Sequence, residues 1–366
     1  MIKIIKIFFI VVLSFVTLFF LIVMRLFAIK INDSIIQTNH MKRLNNYYES
    51  SSFEPVDESE FINFDPLDES IKLNEIQILA THNSYKKTGA ALGRLFVGLG
   101  DSFEEARALK YGYENLTTQF ESGIRSMEFD VRMRKEQFVL THVPLVDNSS
   151  VAPSFELALE EIYLFSTNHP NHIPIIILME IKNDWMILDH ALQHIESEQL
   201  LKLNTVIIDK LGDRLFQPND MLESGKKLNE TIQTTGWPSV FSLLGKVIFV
   251  LHPGDFTDMY YELDTSLETQ PMFIGLYSNQ IDRNYASFIV HNQPDVQTIR
   301  SLVDSNLIVR TRIDSGLVFN QQRYLDAISS GAQILTSDFT IGRSDLKVDE
   351  MIFLANEKLI IKRIDD

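Results

Sequence analysis

A chain of 366 residues with a formal charge of −16 and no cysteine is long enough for one large domain or two modest ones. The charge excludes a nucleic-acid partner of the usual kind, because a phosphate-binding face needs clustered Lys and Arg that this sequence lacks. Without cysteine there is neither a disulfide framework nor a thiolate site, so any metal must be held by oxygen or imidazole. Nothing in the sequence points to a protein partner.

From Ile7 to Met24 no charged residue occurs, and only Ser14 and Thr17 interrupt a run of Ile, Phe, Val and Leu. At about 1.5 Å per residue this run and its flanks can cross a hydrocarbon core of about 30 Å. The run is longer than the apolar region of a secretory signal, and Ala28 stands alone where a small-x-small cleavage site would be needed. Residues 1–30 are therefore expected to form an uncleaved single-pass anchor, with a signal sequence as the alternative. Lys3 and Lys6 precede the run while Arg25, Lys30, Lys42 and Arg43 follow it, so the positive-inside rule does not assign an orientation. Residues 31–70 read as a linker, acidic and solvated from Glu49 to Ser70, where no basic residue occurs. Residues 71–366 then form one domain.

In that domain short aliphatic runs alternate with helical patterns, as expected of strands buried on both faces. The expected strands are Ile76–Ala80, Ser126–Val131, Gln137–Thr141, Ile173–Ile181, Val247–Leu251, Ser287–Val290, Leu307–Thr311 and Gln333–Thr336. Phe155–Thr167 and Asp189–Leu211 read as helices long enough for crossover connections. The fold class is α/β: a TIM-like (β/α)8 barrel preceded by one transmembrane helix, with an open doubly wound sheet as the alternative.

Polar residues gather at the strand ends. The first strand runs into Thr81-His82-Asn83-Ser84, the second into Glu128-Phe129-Asp130, the third into His142, and the fourth into Glu180-Ile181-Lys182. In a parallel barrel these ends converge on one face. Alternate strand residues share a side, so Glu128 projects with Asp130 and Glu180 with Lys182. Three carboxylates together raise one another's pKa, and a cation relieves that repulsion. Asn83, Glu128, Asp130 and Glu180 offer only hard oxygen ligands, which suits Ca2+, with Mg2+ or Mn2+ as alternatives. His82 and His142 fit acid-base work near neutral pH. Taken singly, an E-x-D pair is commonly a solvent-facing stripe and a His-Asn pair a turn. Their recurrence on successive strands is what points to one phosphodiester-cleaving face.

These residues resemble the calcium-dependent relatives of phosphatidylinositol-specific phospholipase C. The resemblance rests on Thr81-His82-Asn83-Ser84-Tyr85, Gly123 to Val131, His142, His169-Pro170 leading to Glu180-Ile181-Lys182, Val309-Arg310-Thr311-Arg312, and Gly331 to Phe339. It implies that Asn83, Glu128, Asp130 and Glu180 bind calcium, that His82 acts as base or stabilises the phosphorane, and that His142 protonates the leaving glycerol oxygen. The inositol 2-hydroxyl would attack phosphorus, giving diacylglycerol and a cyclic inositol phosphate. Lys182 and Arg312 become candidates for substrate contacts, and Asp338 for a strand-end contact of no assigned purpose. The implied partners are a phospholipid and the membrane. The abundance of calcium outside the cytoplasm favours an extracytoplasmic catalytic domain. Two rivals stand beside this reading. A glycerophosphodiester phosphodiesterase shares the layout but typically has arginine where Asn83 stands; a silent lipid- or sugar-phosphate-binding barrel would lack the chemistry.

Overall fold

In the computed structural model, which describes residues 2–50, 53–343 and 345–363, eleven strands form a single sheet. They are β1 (Ile76–Thr81), β2 (Ser126–Arg134), β3 (Gln137–Leu140), β4 (Ile175–Ile181), β5 (Leu192–Gln193), β6 (Val247–Leu251), β7 (Met272–Tyr277), β8 (Phe288–Val290), β9 (Ile308–Arg312), β10 (Ile334–Ser337) and β11 (Ile360–Lys362). Parallel pairing runs unbroken from β1 through β10, β9, β8, β7, β6 and β4 to β2. These eight strands make the TIM-like barrel. Ile175 to Met179 on β4 are all buried, which is why that strand reads as an uninterrupted apolar run rather than an alternating one.

Among the described residues no ladder joins β1 to β2. Ser84 closes that seam: its N–H donates to the Glu128 carbonyl at 2.9 Å, and its Oγ accepts from the Glu128 N–H at 3.0 Å.

Two strand assignments change. The Gln137–Thr141 run is not a barrel strand; β3 folds back antiparallel on β2 from Arg134↔Gln137 to Val131↔Leu140. The barrel strand in its place is β7, whose pattern is interrupted by Gly275. A Cβ at Gly275 would stand 2.5 Å from the Leu251 carbonyl oxygen, so the glycine that blurs the pattern is what lets β7 lie against β6.

The helices that bear on the site are α1 (Ile2–Tyr48), α2 (Ala91–Gly100), α3 (Phe103–Ala108), α4 (Leu116–Glu121), α5 (Phe155–Asn168) and α6 (Ser197–Leu211). The expected helix from Asp189 is shorter than read. Asp189 instead accepts from Arg134 Nε at 2.7 Å and from Ala191 N–H at 3.0 Å, turning the chain into β5 before α6 begins.

Helix α1 is long and apolar enough to cross a membrane. Its 47 residues extend about 70 Å at 1.5 Å per residue, and they do not stop at residue 30. Phe8, Phe9, Phe15, Phe19 and Phe20 are exposed, whereas Leu26, Asp33, Gln37, Met41 and Leu44 are buried against the barrel. The expected linker of residues 31–70 thus begins as a docked helix as far as Tyr48. Farther on, Glu58 is buried in an ion pair with Arg125 and accepts from Ile173 N–H at 3.2 Å. Acidity there serves a buried cation as well as solvent.

Candidate active site

The register of β2 and β4 builds an acidic cluster. Asp130 lies opposite Glu180, Glu128 shares the Asp130 face, and one carboxylate oxygen from each of the three lies within 4.8 Å of the others. Both Asp130 oxygens are buried without a hydrogen-bond donor. Burial raises the Asp130 pKa to about 6, the Glu180 charge pushing the same way and Lys182 opposing. Lys182 Nζ stands 2.6 Å from Glu180 and 3.9 Å from Asp130. Burial also disfavours the Glu128 carboxylate, but Arg310 and His82 outweigh it and hold its pKa at about 2. Arg310 bonds the second Glu128 oxygen. Asn83, at φ +49°, is buried beside the cluster and donates through Nδ2 to the Tyr111 hydroxyl at 3.0 Å.

Orphaned, fully buried Asp130 oxygens among hard donors are what an oxygen-seeking divalent cation fits. Positive charge beside a carboxyl raised to about 6 draws its pKa back down and favours the ionised, ligating form.

Two histidines flank the cluster, each with an aspartate on Nδ1. His82 Nδ1 lies 2.9 Å from Asp338, while its Nε2 stands 3.7 Å from Glu128. Tyr111 stacks on the His82 ring, with centroids 6.2 Å apart, and its hydroxyl is 3.3 Å from Nδ1. Arg312 reaches Asp338 at 3.0 Å and His82 Nδ1 at 3.4 Å. Burial works against the Asp338 charge, but His82 and Arg312 prevail and keep its pKa at about 2. His142 Nδ1 lies 3.0 Å from Asp147. Asp147 is buried against Lys86, whose Nζ is 3.3 Å away and which also donates to the Leu109 and Tyr111 carbonyls at 2.6 and 3.0 Å. Lys86 Nζ also lies 4.3 Å over the centre of the Tyr111 ring that stacks on His82, so the two dyads share a wall.

The structure therefore brings together His82, Asn83, Glu128, Asp130, Glu180, Lys182, His142 and Arg312. His142 arrives from the hairpin beyond β3 rather than from a barrel strand. Sequence reading missed Asp147, Lys86, Tyr111 and the Arg310 contact, and gave Asp338 no role. It also missed His252, which follows β6 and carries a pKa lowered by burial against the opposing pull of Glu128 and Glu180. Only Arg310 left a usable signal, since it alternates with Arg312 on β9. Beside the cluster opens a cleft of about 630 Å³ lined by Glu180, Lys182, His252, Pro253, Phe256 and Tyr277, large enough for a sugar-phosphate group.

Comparison with known proteins places the chain. A family model described as phosphoinositide phospholipase C, Ca2+-dependent, matches residues 71–135 and 132–361. Among solved structures, a calcium-dependent phosphoinositol-specific phospholipase C from Pseudomonas sp. is 17% identical, with a TM-score of 0.59 over 83% of this chain and 99% of that one. Its myoinositol complex is 18% identical, with a TM-score of 0.58 over 81% and 97%. A Ca2+-dependent phosphatidylinositol-specific phospholipase C from Streptomyces antibioticus is 17% identical, with a TM-score of 0.54 over 74% and 95%. No curated protein matches the sequence. At such identities the solved structures speak for the fold alone; it is the family model, spanning the barrel from before β1 to β11, that makes this chain a member of the Ca2+-dependent phosphoinositide phospholipase C family.

Proposed function

We propose that the chain is a calcium-dependent phosphodiesterase that cleaves phosphatidylinositol-type lipids to diacylglycerol and a cyclic inositol phosphate, with α1 keeping the domain beside its lipid. The observation that carries this reading is the pair of histidines, each held through Nδ1 by a buried aspartate, beside three clustered carboxylates.

Asn83, Glu128, Asp130 and Glu180 are the residues that would hold the ion. When bound, it supplies positive charge that acidifies a neighbouring hydroxyl and offsets charge on the phosphate oxygens. The aspartates assign the histidine tautomers: with Nδ1–H donated to the carboxylate, each Nε2 is left for the substrate. His82 Nε2 takes the proton of the inositol 2-hydroxyl as that oxygen bonds to phosphorus. His142, starting protonated, delivers its Nε2 proton to the glycerol oxygen as the bond between phosphorus and that oxygen breaks. One proton is taken up and one released, so the products are neutral diacylglycerol and the cyclic phosphodiester. In a second step water opens the ring with the two histidines in reversed roles. Lys182 and Arg312 are assigned to phosphate or inositol oxygens.

Phosphorus NMR of the full chain with phosphatidylinositol in mixed micelles tests this. The expected result is a cyclic inositol phosphate signal with calcium that vanishes under chelator. Hydrolysis of glycerophosphoinositol without a cyclic product would transfer the chain to the glycerophosphodiesterase reading.

A further inference from the structure

The segment between β3 and α5 carries both members of the second dyad, His142 and Asp147, yet has little regular structure of its own. Its internal support is a bridge between Val143 and Asp147, with further bridges from Ser150 to Lys86 and from Ser154 to Val139. From the barrel side, Arg132 donates to the Thr141 and His142 carbonyls at 3.2 and 2.9 Å, Lys86 pairs with Asp147, and the Tyr85 carbonyl accepts from Val151 N–H at 2.8 Å; from the outer side the support comes from α1. The Leu26 carbonyl accepts from Asn148 Nδ2 at 3.1 Å. One Asp33 oxygen accepts from Ser150 N–H at 3.2 Å while the other pairs with Lys87 at 3.0 Å. Gln37 bonds the Ser154 main chain both ways, taking its N–H at 2.8 Å and donating to its carbonyl at 3.0 Å.

Positions 26, 33 and 37 lie on one helical stripe, and Asp33 and Gln37 are only 2% and 1% exposed. Burying a carboxylate and an amide on a stripe that Leu or Met could fill is unfavourable unless each polar atom finds a partner. Every partner found here lies in, or next to, the chain that holds the dyad. From this geometry we infer that Asp33 and Gln37 are positioning residues: the docked half of α1 fixes the segment that sets His142 and its aspartate against the substrate. This rests on the proposed role of His142 as the acid. The membrane helix is then part of the catalytic device as well as its tether.

Truncating α1 would confound positioning with loss of membrane proximity, so the test uses point variants of the full chain in detergent. Two phosphodiesters of inositol are compared: one with a glycerol-like alkyl leaving group, which needs a proton, and one with a nitrophenyl leaving group, which does not. For Asp33→Ala and Gln37→Ala the expected result is about a tenfold or larger fall in kcat on the alkyl ester, with KM unchanged and the nitrophenyl ester turned over nearly as before. Asp33→Asn, which retains an oxygen for the Ser150 N–H, should recover most of the rate. An equal fall on both esters, or no fall on either, would overturn the inference and leave α1 a structural prop. His142→Ala is the control. If it too fails to separate the esters, the acid assignment is wrong and the positioning inference goes with it; if it separates them and the α1 variants do not, the inference alone fails.

Discussion

The two histidine dyads have the same local chemistry and opposite means of support. His82 and Asp338 lie 256 positions apart in the chain and meet because β1 and β10 pair in parallel, Thr81 against Ser337. The barrel ladder itself sets their distance. His142 and Asp147 lie five positions apart in a loop, held by the buried Lys86 below Asp147, by Arg132 on the His142 carbonyl, and by the docked stripe of α1 on the residues that follow. A dyad built on strands comes with the fold. One built on a loop needs separate rigid supports, because a catalytic group has to sit within a fraction of an ångström of its working position.

Breaking the loop dyad from below should have the largest effect. Lys86→Met removes the buried ammonium from Asp147 and leaves it only the half-buried His142, and loss of one partner of a buried pair costs about 3–5 kcal/mol. Urea denaturation should register that loss. Next comes the strand dyad. Because the Asp338 pKa is depressed from 3.8 to about 2, its charge contributes stability above pH 3.8 that is lost as pH falls towards 2. Asp338→Asn should therefore cost about 2 kcal/mol near neutrality, and wild type and variant should converge in denaturation curves near pH 2. Undiminished separation at that pH would mean that Asp338 acts through packing. Smallest is Tyr111→Phe, which removes the hydroxyl shared by Asn83 and His82. A loss of about 1 kcal/mol in stability is expected, with a shift in the calcium concentration for half-maximal activity measured alongside.

The same contrast explains what could be read from sequence. Period-two alternation put Glu128 with Asp130 and Glu180 with Lys182, and strand-end position put His82 and Asn83 near them, because these relations are local to one strand. The roles of Asp338, Lys86 and Tyr111 are fixed by contacts between distant segments, which no local pattern encodes. Asp33 and Gln37 look like the wet side of an amphipathic helix until their main-chain partners are known. Likewise Gln137–Leu140 has the residues of a barrel strand and differs only in its neighbours, while β7 carries a glycine that looks like a breaker and is needed for close packing.

The seam between β1 and β2 adds a mechanical consequence. Everywhere else the barrel wall is a ladder, and shear between neighbouring strands must break several hydrogen bonds at once. Across this seam Ser84 supplies the two bonds to Glu128 through its N–H and hydroxyl. On one bank stand His82 and Asn83; on the other, Glu128 and Asp130. The gap between the His82 ring and the carboxylates is thus bridged by a single small residue, a compliant joint set into an otherwise stiff wall.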